Sequence, residues 1–249
     1  MSTSRPHPAV AVWGTAHPVR ATLTALRVGL AALMVTATFA QLATYEVYWR
    51  RIGLHDLALR TANFFSAFTF EVNLLGAVVL VGGAWLLWRA HGAEPLWFTR
   101  VRLCLLASIV IVGVVYNLLL RGAPTGPGEQ LDWANTVVHV VAPIGIAVDW
   151  LIAPHWQRLP LRSAALVVIF PIGWLAYTLI RGTLVRDELL GTPYYYPYGF
   201  LNPHGLGGWG PVLLMIGELL VFTVALGIAA VLAVRVEDRV NQAVRIRAA

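Results

Sequence analysis

The sequence predicts an all-α integral membrane bundle of six transmembrane helices, and three observations carry that prediction. Of its 249 residues, 58% are hydrophobic and only 12% charged, against about 25% charged in soluble domains. Six apolar stretches are each long enough to cross about 30 Å of hydrocarbon at 1.5 Å per residue. In lipid each stretch must be helical, because an exposed backbone polar group has no water to bond.

The stretches follow in order. Ala21–Ala43 comes first. Arginines precede it and Ala37 to Ala40 resembles a signal-peptide processing site, but its length favours a retained helix. Phe64–Trp88 and Val101–Leu120 come next, and the second ends at a turn-rich loop, residues 121–128, with two prolines and three glycines. Trp133–Ala153 and Ser163–Ile180 are separated by a break bracketed by Pro154 and Pro160. Val212–Val234 is last. The organisation is therefore a tail over 1–20, a membrane domain over 21–234 and a basic tail over 235–249. No soluble domain fits between spans, and no repeat is evident.

Charge distribution sets the expected orientation. All 18 basic residues are arginine. Twelve of them fall on one side: Arg5, Arg20 and Arg27; Arg89, Arg100 and Arg102; Arg158 and Arg162; and Arg235, Arg239, Arg245 and Arg247. The other six (Arg50, Arg51, Arg60, Arg121, Arg181, Arg186) are matched by Glu46, Asp56, Glu129, Asp132, Asp187 and Glu188. The positive-inside rule places the arginine-rich side, with both termini, in the cytoplasm. A multi-pass protein of the cell membrane is expected. The tail after Val234 reads as a topology anchor or as a contact for anionic lipid or a partner.

Ionisable groups inside the spans are the best clue to function, because an acid at a helix centre costs on the order of 2.5–3.5 kcal/mol. Glu71, His139, Asp149 and Glu218 are such groups. With the orientation set, Ser66, Thr69, Glu71 and Asn73 fall in the outer part of the second span. Tyr116 and Asn117 lie near the outer end of the third, Thr136 and His139 in the outer part of the fourth, and Glu218 in the outer half of the sixth. Four helices thus bring polar side chains to one layer. Asp149 lies near the cytoplasmic end, where it is expected to snorkel or to pair with Arg158 or Arg162.

Helical spacing assigns faces. Ser66, Thr69 and Asn73 share one; Asp132, Thr136, His139 and Pro143 share another; Glu71 points away, toward another neighbour or an arginine. If the two faces meet, a hydroxyl and an imidazole stand at one depth in a shielded pocket. A hydroxyl is a weak nucleophile alone, and a neighbouring imidazole can take its proton. Asn73 or Asn117 is a candidate donor to a developing oxyanion. The same residues can equally join helices by hydrogen bonds worth about 0.6 kcal/mol each. No metal site is expected: Cys104 stands alone, and no span holds a His-x-x-x-His or His-x-x-Glu pair. No cofactor or nucleic-acid partner is implied.

The longest outer loop, 181–210, contains the run GTPYYYPYGFLNPHG over 191–205. Its prolines and glycines forbid a long helix and its aromatics suit the headgroup layer. It reads as an interfacial belt, or as a lid over the outer pocket with Tyr196, Tyr198 and His204 available to a headgroup or acyl chain.

Three stretches carry a family resemblance: FFSAFTFEVNLL at 64–75, NTVVHVVAP at 135–143 and YPYGFLNP at 196–203. They resemble bacterial six-span proteins of the Pr6Pr type, which are similar to the FAR-17a, androgen-induced membrane family. The resemblance covers nearly the whole chain in span number and order. It implies hydrolysis of fatty-acid esters by a membrane threonine and a histidine, which fall here on Thr69 and His139. The residues after His139 are more apolar than in the eukaryotic pattern, which leaves the substrate open.

The expected function is thus an intramembrane lipid-ester hydrolase. Thr69 and His139 would be its catalytic pair, and Asn73, Ser66, Asn117, Thr136, Glu218, Tyr196, Tyr198 and His204 would contact a membrane lipid or lipid-like substrate. A non-catalytic lipid or small-molecule binding protein, or a transporter, are the alternatives. A transporter needs acidic residues along a continuous path, and the middle of these spans is nearly empty of them.

Overall fold

The computed structural model describes residues 17–89, 94–122, 129–152 and 159–248, with side chains of the final helix described as far as Val234. The Arg5 and Arg158 of the orientation argument, most of the 121–128 loop, and the side chains of the basic tail lie outside the described residues. Six helices are long and apolar enough to cross a membrane, and the one β pairing among the described residues is an isolated bridge between Asp187 and Thr192. The chain is an all-α, integral, multi-pass membrane protein.

Helix α1 (His17–Arg51) is longer than the apolar stretch that announces it. A short helix α2 (Leu57–Phe65) follows, and then α3 (Phe68–Arg89). Next come α4 (Leu96–Leu120), α5 (Asp132–Ile152), α6 (Leu161–Gly182) and α7 (Trp209–Ala248). Helix α1 packs along α3, and α4 touches α3, α5, α6 and α7. The centre is packed with apolar side chains: Met34, Leu103 and Ile109 are 0% exposed. At 40 residues, α7 runs about 60 Å and carries the helix past Val234 into the basic segment.

Three local departures from a regular helix position the site. The first corrects the second span, which sequence alone starts at Phe64. Asp56 caps α2 by accepting from the Leu59 N–H at 2.9 Å. The helix then stops at Ser66, whose hydroxyl donates to the Asn63 carbonyl at 2.7 Å, the side-chain competition that weakens helix continuation at serine. Trp174 Nε1 donates to the Ser66 carbonyl at 3.0 Å, so the broken turn stays satisfied inside the bundle. The second departure is in α5, where Val137–Val141 forms a wide π-type turn just ahead of Pro143. Proline has no N–H to offer the His139 carbonyl, and Asn117 Nδ2 donates to it at 3.4 Å instead. The third is a matching wide turn at the end of α4, Tyr116–Leu120, closed by Arg121 N–H to the Tyr116 carbonyl at 2.7 Å. Gly113 makes the α4–α5 approach possible, since a Cβ there would lie 3.1 Å from Pro143 and 3.2 Å from the His139 carbonyl.

Candidate functional site

The structure brings Thr69 and His139 together. Thr69 is the second residue of α3, 7% exposed, and its Oγ1 lies 3.4 Å from His139 Nε2. The other ring nitrogen, Nδ1, is 3.0 Å from the Asn135 carbonyl. A carbonyl only accepts, so Nδ1 carries the proton and Nε2 presents a lone pair toward Thr69. Tyr116 stacks on the imidazole, with ring centroids 3.8 Å apart and planes at 17°, and its hydroxyl accepts from Asn135 Nδ2. Histidine is thus held in orientation and tautomer from two sides.

Tyr198 completes the group. Its hydroxyl oxygen accepts the Thr69 N–H at 3.2 Å and lies 3.2 Å from Thr69 Oγ1. With the Thr69 proton directed at His139, the tyrosine O–H is the donor to Oγ1. Burial pushes the Tyr198 pKa up, and the neighbouring Glu71 adds to that while hydrogen bonds from Thr69 oppose it. Tyr198 therefore stays a protonated donor. Tyr195 is pushed up as well, by burial first and then by Asp187.

Thr69, Tyr116 and Tyr198 form a wall shared by two spaces. One, the polar cavity, is about 560 Å³ and mixes polar groups such as Arg60, Asn63, Asn135 and Tyr195 with aromatic ones such as Trp49 and Phe70. The other is a narrow apolar pocket of about 60 Å³ lined by Phe68, Ile111, Val112, Leu175 and Leu220.

Several expected site residues stand elsewhere. Ser66 caps α2 rather than continuing the face of Thr69. Asn73 is 0% exposed and its Nδ2 donates to the Thr69 carbonyl at 2.8 Å and the Val138 carbonyl at 3.3 Å, so that amide is committed to backbone and no oxyanion donor. Asn117 ties α4 to α5, with Nδ2 on the Gly113 and His139 carbonyls and Oδ1 receiving Arg121. Thr136 is exposed and bonds its own helix at the Asp132 carbonyl. The wide turn after it breaks the spacing that placed Thr136 beside His139, and Asn135 takes that place. Glu218 is exposed on the outward face of α7 and lines neither space. Tyr196 packs its ring over Gly182, and His204 is exposed and stacked on Tyr194. Glu71 makes no ion pair with an arginine among the described residues.

A second polar layer lies at the other end of the bundle. Asp149 receives Arg27 Nε at 2.6 Å on one oxygen and Arg102 Nη2 at 2.6 Å on the other. Arg102 also bonds Glu94 at 3.0 Å, and Glu94 accepts from Thr99 at 2.9 Å. Asp149 therefore neither snorkels nor pairs with Arg162; Arg158 lies outside the described residues. Arg27 and Arg102, counted as topology markers, are 4% and 5% exposed and belong to this latch. Arg20 bonds the Leu87 and Trp88 carbonyls at the end of α3. Fourteen helical rises of α1 separate Arg27 from Gln41 at the edge of the polar cavity, about 21 Å of helix. Apolar side chains such as Met34 and Ile109 fill that interval. Among the described residues, no group of three or more His, Cys, Asp or Glu side chains is arranged to hold a metal ion.

No family model, no curated protein and no solved structure matches the chain. What the fold and site define directly is a class: a six-helix integral membrane protein with a part-buried hydroxyl–imidazole pair beside a polar cavity, its hydroxyl also facing an apolar pocket.

Proposed function

We propose that this protein is an intramembrane hydrolase of lipid esters, with Thr69 as nucleophile and His139 as general base and then acid. The observation that carries the reading is the tautomer: Nδ1–H is spent on Asn135, so Nε2 is the acceptor facing the Thr69 hydroxyl. Thr69 Oγ1 would bond to the acyl carbon as its proton passes to Nε2. The carbonyl electrons would collect on oxygen and return as the alkoxide leaves with the proton from His139. Water would then release the acid from Thr69 by the reverse sequence. Tyr198 O–H, beside the start of α3 where the helix dipole favours negative charge, is the donor next to the attack point. The resemblance to Pr6Pr-type and FAR-17a-like proteins points the same way. The arginine asymmetry supports a site in the outer leaflet with both termini in the cytoplasm.

Labelling of the purified protein with a fluorophosphonate probe tests the reading. Wild type should label and Thr69→Ala should not. Equal labelling of the two would remove Thr69 from the role.

A further inference from the structure

The polar cavity is lined by a cation, Arg60, that uses only one of its five donors on a protein acceptor among the described residues. Arg60, on α2, is 8% exposed. Its Nε reaches Glu188 at 3.3 Å, and its guanidinium lies over the Trp49 ring at 6.0 Å. Guanidinium carries five N–H donors. The four on Nη1 and Nη2 have no hydrogen-bond acceptor among the described residues, and the residue lines the cavity. Asn63, one turn on, also lines it; its Oδ1 is filled by Arg181 Nη2 at 2.7 Å, which leaves its amide N–H donors on the same wall.

Opposite charge is present too. Glu129 and Asp187 line the cavity, and Asp187 is fixed by Leu189 and Leu190 N–H groups at 2.8 and 3.2 Å. A purely anionic ligand would meet these carboxylates, and a purely cationic one would meet Arg60. A headgroup with both signs satisfies the walls together. The apolar pocket across Thr69 is the smaller space, about 60 Å³ against 560 Å³, and its size suits the start of a single chain.

We infer that the polar cavity takes a zwitterionic phosphate–amine headgroup, that Arg60 holds its phosphate, and that the molecule is a single-chain lipid ester of the lysophospholipid class. Arginine presents planar paired donors to phosphate oxygens, and the amine faces Glu129 and Asp187. This inference rests on the cavity being the head chamber of the proposed hydrolase site. Hydrolysis would release a fatty acid into the apolar side and a glycerophosphoamine into the polar cavity.

The test uses ether-linked analogues, which cannot be hydrolysed and so report on the cavity alone. The full-length protein in detergent is titrated with alkyl-glycerophosphoethanolamine, alkyl-glycerophosphoglycerol and alkylglycerol of one chain length, read by tryptophan fluorescence. The zwitterion should bind at least about tenfold more tightly than alkylglycerol, the effect of charge-assisted hydrogen bonds to one buried arginine, and more tightly than the phosphoglycerol. Arg60→Gln should remove the phosphate advantage and leave alkylglycerol binding unchanged; that second ligand also shows that the variant is folded. Equal binding of all three by wild type would overturn the inference whatever Arg60→Gln does. So would an Arg60→Gln protein that keeps the preference. A protein that binds the zwitterion but never labels with fluorophosphonate would sink the hydrolase reading and leave the headgroup site standing.

Discussion

Thr69 Oγ1 and His139 Nε2 lie 3.4 Å apart, on helices α3 and α5, with the imidazole turned so that its lone pair faces the hydroxyl. That orientation comes from the backbone. His139 sits within the wide turn ahead of Pro143, and the carbonyl of Asn135 fixes Nδ1. A contact serving only to join helices needs proximity. A catalytic pair also needs this tautomer and a substrate space beside it, and both are present.

Thr69→Ala and His139→Ala should each abolish lipid-ester hydrolysis, a loss of at least about 10²-fold for the base, with the detergent melting temperature nearly unchanged. The double variant should lose little more than either single one, because residues acting as a unit are non-additive. Activity assays and melting curves on the same preparations decide it. Two variants that melt early, from a wild type with no esterase activity at any chain length, would make the pair interhelical glue.

Tyr198→Phe tests the donor. The ring stays, stacked on Phe200 at 5.3 Å and near Trp174 at 5.9 Å, and only the hydroxyl is lost. Turnover should fall by about 10²–10³-fold, the usual cost of one oxyanion donor. Stability should fall by about 1–3 kcal/mol, because the phenylalanine leaves the buried Thr69 N–H without its acceptor. A variant with wild-type turnover would leave Tyr198 as a helix cap and nothing more.

The depth of the site was legible in the sequence because hydropathy, arginine counts and a 3.6-residue period are enough to place side chains along a span. They put Thr69 and His139 in one layer, and the structure sets the two side chains 3.4 Å apart; Tyr198, read from its loop as part of a belt or lid, lies 3.2 Å from Thr69 Oγ1. Faces were read less well wherever the helix departs from that period. Regular spacing assigns Thr136 to the histidine face, and the wide turn at Val137–Val141 hands that position to the Asn135 carbonyl. Sequence alone keeps Ser66 in the span, because nothing in a run of apolar residues shows that a serine hydroxyl will end one helix and allow another to begin. The Arg27–Asp149–Arg102–Glu94 latch was invisible for a different reason. Its members lie on three helices and the loop before one of them, and ion pairing between distant residues leaves no local pattern.

Both termini should be cytoplasmic and the 183–208 connection external. Reporter fusions at residue 249 and within that connection check this. An external C-terminus would move the Thr69 layer to the inner leaflet. It would also reverse the side from which a headgroup reaches Arg60.

Asp149→Asn should destabilise the bundle more than Glu94→Gln. Asp149 answers two arginines at once, at 2.6 Å each, and removing its charge leaves two buried guanidinium groups facing each other without an anion between them. Glu94 answers only Arg102, which would still hold Asp149. Breaking a buried pair by removing one partner costs about 3–5 kcal/mol, and Asp149→Asn belongs at the upper end of that range. The latch is separated from the Thr69 layer by packed apolar side chains, so the protein that remains folded should label with fluorophosphonate at the wild-type rate. Melting curves and labelling rates measured together check both halves. A stable Asp149→Asn protein would show that the arginines find water at that end of the bundle. A folded one with slowed labelling would show that the two polar layers are coupled.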